Sequence, residues 1–114
     1  DSIFTFSIDL SNLSIDNISL NPERFILNQN FPNPFNPQTL ISYEVNVGDF
    51  VKIAVYDLNG KWITNLIEEY KIPGKYNLKW NGLNNLNQAV GGGIYIYTIS
   101  SNTQTSSKKM ILLK

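Results

Sequence analysis

The chain has 114 residues, 42% hydrophobic and 12% aromatic, with nine basic and nine acidic side chains and a formal net charge of zero. That is about one domain with material for one core, and the balanced charge gives no electrostatic footprint for nucleic acid or an anionic membrane. With no His and no Cys, the usual acid/base at neutral pH, the thiolate nucleophile and the soft metal ligands are all missing, and a Ser-His-Asp triad cannot be built.

The chain opens with FTFSIDL, residues 4–10, in which Phe4, Phe6, Ile8 and Leu10 share one face and Thr5, Ser7 and Asp9 the other. This is the period of a half-buried strand. NLSIDNISL repeats the alternation more loosely. Residues 1–24 therefore read as an arm: an edge strand, the end of a linker, or a strand exchanged with a neighbour. There is neither an initiator Met nor a leader-like run, so the chain is expected to begin after processing or trimming.

NFPNPFNPQT follows at 30–39, with Pro32, Pro34 and Pro37 interleaved with Asn33, Phe35 and Asn36. Each proline lacks a backbone donor and biases its predecessor toward extended backbone, so the segment is stiff before it folds. Asn33 and Asn36 are expected to cap local turns, and Phe31 and Phe35 to pin the loop to a sheet. An entry segment of this kind also protects a sheet edge, because proline blocks strand addition.

From there strands and turns alternate. Thr39, Ile41, Tyr43 and Val45 form one face of QTLISYEV; Val51, Ile53 and Val55 do so in FVKIAVYDL. DLNG at 57–60 is a turn in which Asp57 caps its own backbone and Gly60 takes positive φ. KWITNLIEEY predicts a strand from Trp62 to Ile67, and IPG at 72–74 a second turn. KYNLKWN sets Tyr76, Leu78 and Trp80 against Lys75, Asn77 and Lys79. A long Asn- and Gly-rich loop occupies 81–93; it offers carbonyl oxygens but no carboxylate for a hard cation. GIYIYTIS, a hairpin at SNTQTS and the final KKMILLK complete the chain. Short strands with turn signals between them indicate an all-β, antiparallel, immunoglobulin-like sandwich of about seven strands plus the arm strand. Ile41, Tyr43, Val51, Ile53, Val55, Leu78, Trp80, Tyr95 and Tyr97 are its expected core. No run approaches the ~18 apolar residues of a membrane span.

With NFPNPFNPQT, YDLNGK, WNG, GGGIYIY and KKMILLK in this order, the chain resembles the C-terminal sorting domain (type A) of proteins exported by the type IX secretion system of Bacteroidota and related phyla. The N-x-PNPFNP-x-T-x-I-x-Y opening is carried by Asn30, Pro32, Asn33, Pro34, Phe35, Asn36, Pro37, Thr39, Ile41 and Tyr43. Val55, Tyr56, Asp57, Gly60 and Lys61 match the VYD-x-x-G-(R/K) turn. Gly74, Tyr76, Leu78, Trp80, Asn81 and Gly82 match the segment ending in W-(D/N)-G. Gly93, Tyr95, Tyr97, Lys109, Met110, Leu112 and Lys114 match the ending. Two positions depart from the family: Gly92 replaces a frequent Ser, and Val45-Asn46 stand where Leu-Pro is common.

The resemblance implies a non-catalytic module, residues 25–114, that directs export across the outer membrane to the cell surface or medium. Its partners would be the outer-membrane secretion machinery and a sortase. The sorting residues would be Asn30, Pro32, Asn33, Pro34, Phe35, Asn36, Pro37, Lys109, Met110, Leu112 and Lys114, with no catalytic, cofactor-binding or metal site. The competing reading is a subunit of an extracellular filament or coat, a homo-polymer in which Phe4, Phe6, Ile8 and Leu10 add as a strand to the next subunit. A carbohydrate-binding or adhesion module using Trp62, Trp80 and the tyrosines is a third. Asn12-Leu13-Ser14 and Asn17-Ile18-Ser19 fit the N-glycosylation triplet, and Asp1-Ser2-Ile3 resembles an O-glycosylation motif of Bacteroidota.

Overall fold

The computed structural model describes residues 23–114, which contain seven strands and no helix. The strands are β1 (Phe25–Leu27), β2 (Thr39–Val45), β3 (Asp49–Asp57), β4 (Trp62–Lys71), β5 (Gly74–Trp80), β6 (Gly93–Ser100) and β7 (Thr105–Leu112). They form two antiparallel sheets, ordered β1-β2-β5 and β4-β3-β6-β7. In an immunoglobulin constant domain the fourth strand joins the sheet of the first, second and fifth. Here it pairs with β3 instead, because the four residues between Asp57 and Trp62 form a tight turn that reverses the chain within the same sheet. Asp57 Oδ1 accepts the Asn59 and Lys61 N–H groups at 2.8 and 2.9 Å, and Gly60 sits at φ 84°. A side chain at that φ is disfavoured, so Gly60 and Asp57 together fold β4 back onto β3.

The two inner faces meet in one core of Phe25, Leu27, Phe35, Ile41, Tyr43, Val45, Val51, Ile53, Val55, Ile63, Trp80, Tyr95, Tyr97, Ile99, Met110 and Leu112. Alternation accounts for most of it. In β2 every odd-numbered residue is buried, and in β6 Tyr95, Tyr97 and Ile99 point inward while Ile94, Ile96 and Thr98 do not. Eight of the nine expected core residues are buried; Leu78 is only half-buried. Its strand is the outer member of the three-stranded sheet, so one flank of Leu78 has no neighbouring strand among the described residues.

The strand at 62–67 is longer than its pattern suggests and runs to Lys71. Register shifts between Ile53 and Ala54 and between Val55 and Tyr56 bury the adjacent Ile63 and Thr64 together. Bulges of this kind erase period-two alternation on one strand while the ladder continues. The IPG segment is a sheet-to-sheet crossing in which Gly74 already belongs to β5. Trp80, with its ring in the core, is unavailable as a sugar platform.

Replacing Ile53, fully buried at the centre of β3, with Ala is expected to lower unfolding stability by about 2–5 kcal/mol. Leu86→Ala, on the exposed loop, is expected to change it by under about 0.5 kcal/mol. Urea titration of both variants checks the assignment of inside and outside.

Candidate functional site

Between β1 and β2 the chain leaves the sheet at Asn28 and returns at Thr39. Its neck is closed twice. Phe31 and Leu40 exchange backbone hydrogen bonds, each N–H reaching the other's carbonyl at 2.9 Å. Beneath them Asn30, 2% exposed, donates through Nδ2 to Thr39 Oγ1 at 2.9 Å and to the Pro32 carbonyl at 3.1 Å. Its Oδ1 accepts Gln29 Nε2 at 2.7 Å, and its backbone N–H donates to the Tyr97 hydroxyl at 2.7 Å. That hydroxyl in turn donates to the Asn28 carbonyl at 2.7 Å, and Thr39 Oγ1 donates to the Pro32 carbonyl at 2.9 Å. A buried amide is tolerated when its donors and acceptor all find partners, and here they do. Burial pushes the Tyr97 hydroxyl up from 10.0 to about 12, against the Asn30 N–H, which pulls it down.

The closed neck delivers Phe35 to the core. Its ring is 2% exposed and lies 5.8 Å from Trp80, which meets Tyr95 edge-on at 5.4 Å. Its backbone does something else. The Phe35 N–H donates to the Ile111 carbonyl at 2.9 Å, and its carbonyl accepts the Leu113 N–H at 2.8 Å. Asn33 Oδ1 accepts the Ile111 N–H at 2.9 Å, and Gln29 Nε2 donates to the Lys109 carbonyl at 2.7 Å. These four bonds occupy the outward edge of the end of β7, the last strand of its sheet. Pro32, Pro34 and Pro37 stay exposed around this contact, and all three of their preceding peptide bonds are cis. Lacking N–H groups, they let Phe35 pair with β7 while the loop itself offers little to a further strand.

The residues of the opening and closing motifs, 78 positions apart between Asn33 and Ile111, therefore form one continuous structure. Met110 and Leu112 are buried beneath it; Lys109 and Lys114 are exposed. Gly82 lies under the same corner at φ 73°, where an added Cβ would stand 3.5 Å from both Leu112 Cδ2 and the Pro37 carbonyl oxygen. Two expectations for the loop need correction. Phe31 is 77% exposed and pins nothing; with its backbone paired to Leu40, its side chain faces outward, beside a cleft of about 340 Å³ lined by Phe31, Pro32, Gln38, Thr39, Leu40 and Lys79. Asn33 caps β7 rather than a local turn, and Asn36 makes no side-chain hydrogen bond among the described residues.

Gln29 and Tyr97 belong to the site and were not singled out for it by the sequence. Tyr97 was legible as core, and only its hydroxyl needing a partner hinted at more. Among the described residues no group of three or more His, Cys, Asp or Glu side chains is placed to hold a metal ion. Phe4, Phe6, Ile8 and Leu10 of the arm, and the three glycosylation triplets, lie outside the described residues.

The family described as the secretion system C-terminal sorting domain matches residues 29–113. Among solved structures, the chain is similar to dimeric latent PorU from Porphyromonas gingivalis (19% identity, TM-score 0.63), covering 78% of this chain and 9% of that one. It is also similar to PorZ, an essential surface component of the type IX secretion system of the same organism (16%, TM-score 0.55), covering 75% and 11% respectively. FlgD from Xanthomonas campestris, a hook-capping protein of flagellar assembly, shares the fold at 16% identity and TM-score 0.52, over 79% of this chain and 62% of that one. The chain thus spans about one-tenth of the first two. No curated protein matches it.

Asn30→Ala leaves buried partners unsatisfied and is expected to cost about 1–3 kcal/mol, with faster amide exchange at Phe31 and Leu40. A second expectation concerns alkaline pH. The Tyr97 hydroxyl is held protonated in the folded chain, so its contribution is intact below pH 10 and lost as pH rises from 10 through about 12. Tyr97→Phe should flatten the decline in melting temperature across that window. Tyr43 and Tyr95, also raised by burial, should retain part of it.

Proposed function

We infer the function from a premise the match establishes: this chain belongs to the secretion system C-terminal sorting domain family, which marks proteins exported by the type IX system through the outer membrane to the cell surface or medium. In our reading, residues 25–114 are a non-catalytic sorting module. The export machinery reads the surface presented by the exposed Pro32, Asn33, Pro34, Asn36, Pro37, Lys109 and Lys114, which the buried Asn30, Phe35, Met110 and Leu112 hold in place. A surface sortase then acts on the exported protein.

One observation supports this above the rest: the proline loop is hydrogen-bonded along the outward edge of β7 through Phe35, Asn33 and Gln29. A surface split between chain positions 30–37 and 109–114 exists only when the domain is folded. A receptor that requires both halves therefore selects folded cargo without reading a linear peptide. The same contact covers an edge strand that would otherwise pair with other chains in transit. The filament alternative rests on the arm, outside the described residues, and nothing in the comparisons supports it.

The test is secretion of a reporter carrying this chain, in a bacterium with a type IX system. Deleting residues 109–114 is expected to abolish secretion and leave the reporter in the periplasm. That deletion also strips the core of Met110 and Leu112. The variant Lys109→Glu with Lys114→Glu changes only exposed positions and is expected to keep its melting temperature while secretion falls severalfold. Normal secretion after the deletion overturns the reading.

A further inference from the structure

The relocation of β4 leaves a place in the three-stranded sheet. The outer edge of β5 pairs with no strand among the described residues. The core along that edge is incompletely covered: Tyr76 and Leu78, the inward residues of β5 before Trp80, pack against it only half-buried. On the outer face of β5 stand Lys75, Asn77 and Lys79, all exposed. An added strand would complete the sheet if every second residue were apolar and one of the others acidic.

We propose that residues 4–10 of the same chain fill this place, adding antiparallel to the free edge of β5. The register that sets Ile8 beside Tyr76, Phe6 beside Leu78 and Phe4 beside Trp80 turns all three arm side chains over the uncovered core. It also sets Asp9 directly across from Lys75, Ser7 across from Asn77 and Thr5 across from Lys79. Opposite charges so placed stabilise a strand pair. A slip of one residue would turn Phe4, Phe6 and Ile8 outward among the lysines. Odd slips are thereby excluded, and the Asp9–Lys75 pair favours this register over a slip of two, which would set Asp9 across from Asn77.

The geometry of the chain favours its own arm over that of a second copy. Phe25 begins β1 opposite Val45, which pairs with Gly74 at the start of β5. An arm reaching β5 from there passes across three strand spacings, roughly 14 Å, and enters at the Gly74 end, which makes it antiparallel. Residues 11–24 span several times that distance at ~3.3 Å per residue. A tethered strand meets its edge at an effective concentration in the millimolar range, far above that of another molecule. The other edges are less suitable. β4 carries Glu68 and Glu69, which repel Asp9, and its pairing is interrupted by bulges. The edge of β1 is engaged by Gln104, whose Nε2 donates to the Phe25 carbonyl. This inference does not depend on the sorting reading.

Because the chain has no cysteine, Ser7→Cys with Asn77→Cys introduces its only two thiols. After mild oxidation of the full chain we expect an intramolecular disulfide: a mass lower by two hydrogens and no covalent dimer on a non-reducing gel. The control Ser7→Cys with Ser107→Cys, whose second thiol lies on the opposite sheet, should remain largely reduced under the same conditions. Disulfide-linked dimers or ladders from the first pair would overturn the proposal in favour of exchange between copies. Equal oxidation of both pairs, or none in either while the reduced variants melt like the parent, would overturn it outright.

Discussion

Asn30 is a side-chain amide placed where water does not reach, and the course of the proline loop follows from satisfying it. Its Nδ2 holds Thr39 and the Pro32 carbonyl, its Oδ1 holds Gln29, and its backbone N–H finds the Tyr97 hydroxyl at the centre of the four-stranded sheet. The bonds to Thr39 and Pro32 close the loop on itself, and the bond to Tyr97 ties it to β6 in the core. An unmet amide there would cost about as much as several surface contacts contribute together. The loop therefore closes in one way, and Phe35 arrives at Trp80 with its backbone aligned to β7.

The prolines take their meaning from that alignment. A loop laid along a sheet edge satisfies the edge but normally presents a new one of its own. Here the exposed residues on either side of Phe35 include three without an N–H group, so the ladder stops after a single bridge. The last strand is thus finished by residues that precede the second strand in sequence. Residues 30–37 and the end of β7 thereby become parts of one object.

Much of the sandwich was legible in the sequence, since strands with one buried face must alternate. The faces of β2, β5 and β6, the Asp57–Gly60 turn and a hairpin within 101–106 follow from local pattern alone, although β7 already begins at Thr105. The extension of β4 to Lys71 was not legible, because bulges break the period that announces a strand. Leu78 was assigned to the core by its parity, but burial also depends on which strands lie alongside, and parity carries no information on that. The site was half visible. The proline run and the closing KKMILLK stood out as motifs, whereas their contact arises from bonds across 78 positions that no local window contains. For the same reason Phe31 was misplaced: an aromatic between Asn30 and Pro32 looks like an anchor until the reciprocal bonds to Leu40 are seen to fix its backbone and turn the ring outward.

The loop and the last strand are one unit. Amide hydrogen exchange at Ile111 and Leu113 tests this most directly, because these N–H groups face away from β6 and are bonded only through Asn33 Oδ1 and the Phe35 carbonyl. If the account holds, both exchange as slowly as amides in the interior strands of the sheet. Exchange at the rate of an uncovered edge strand, with the rest of β7 protected, would contradict it.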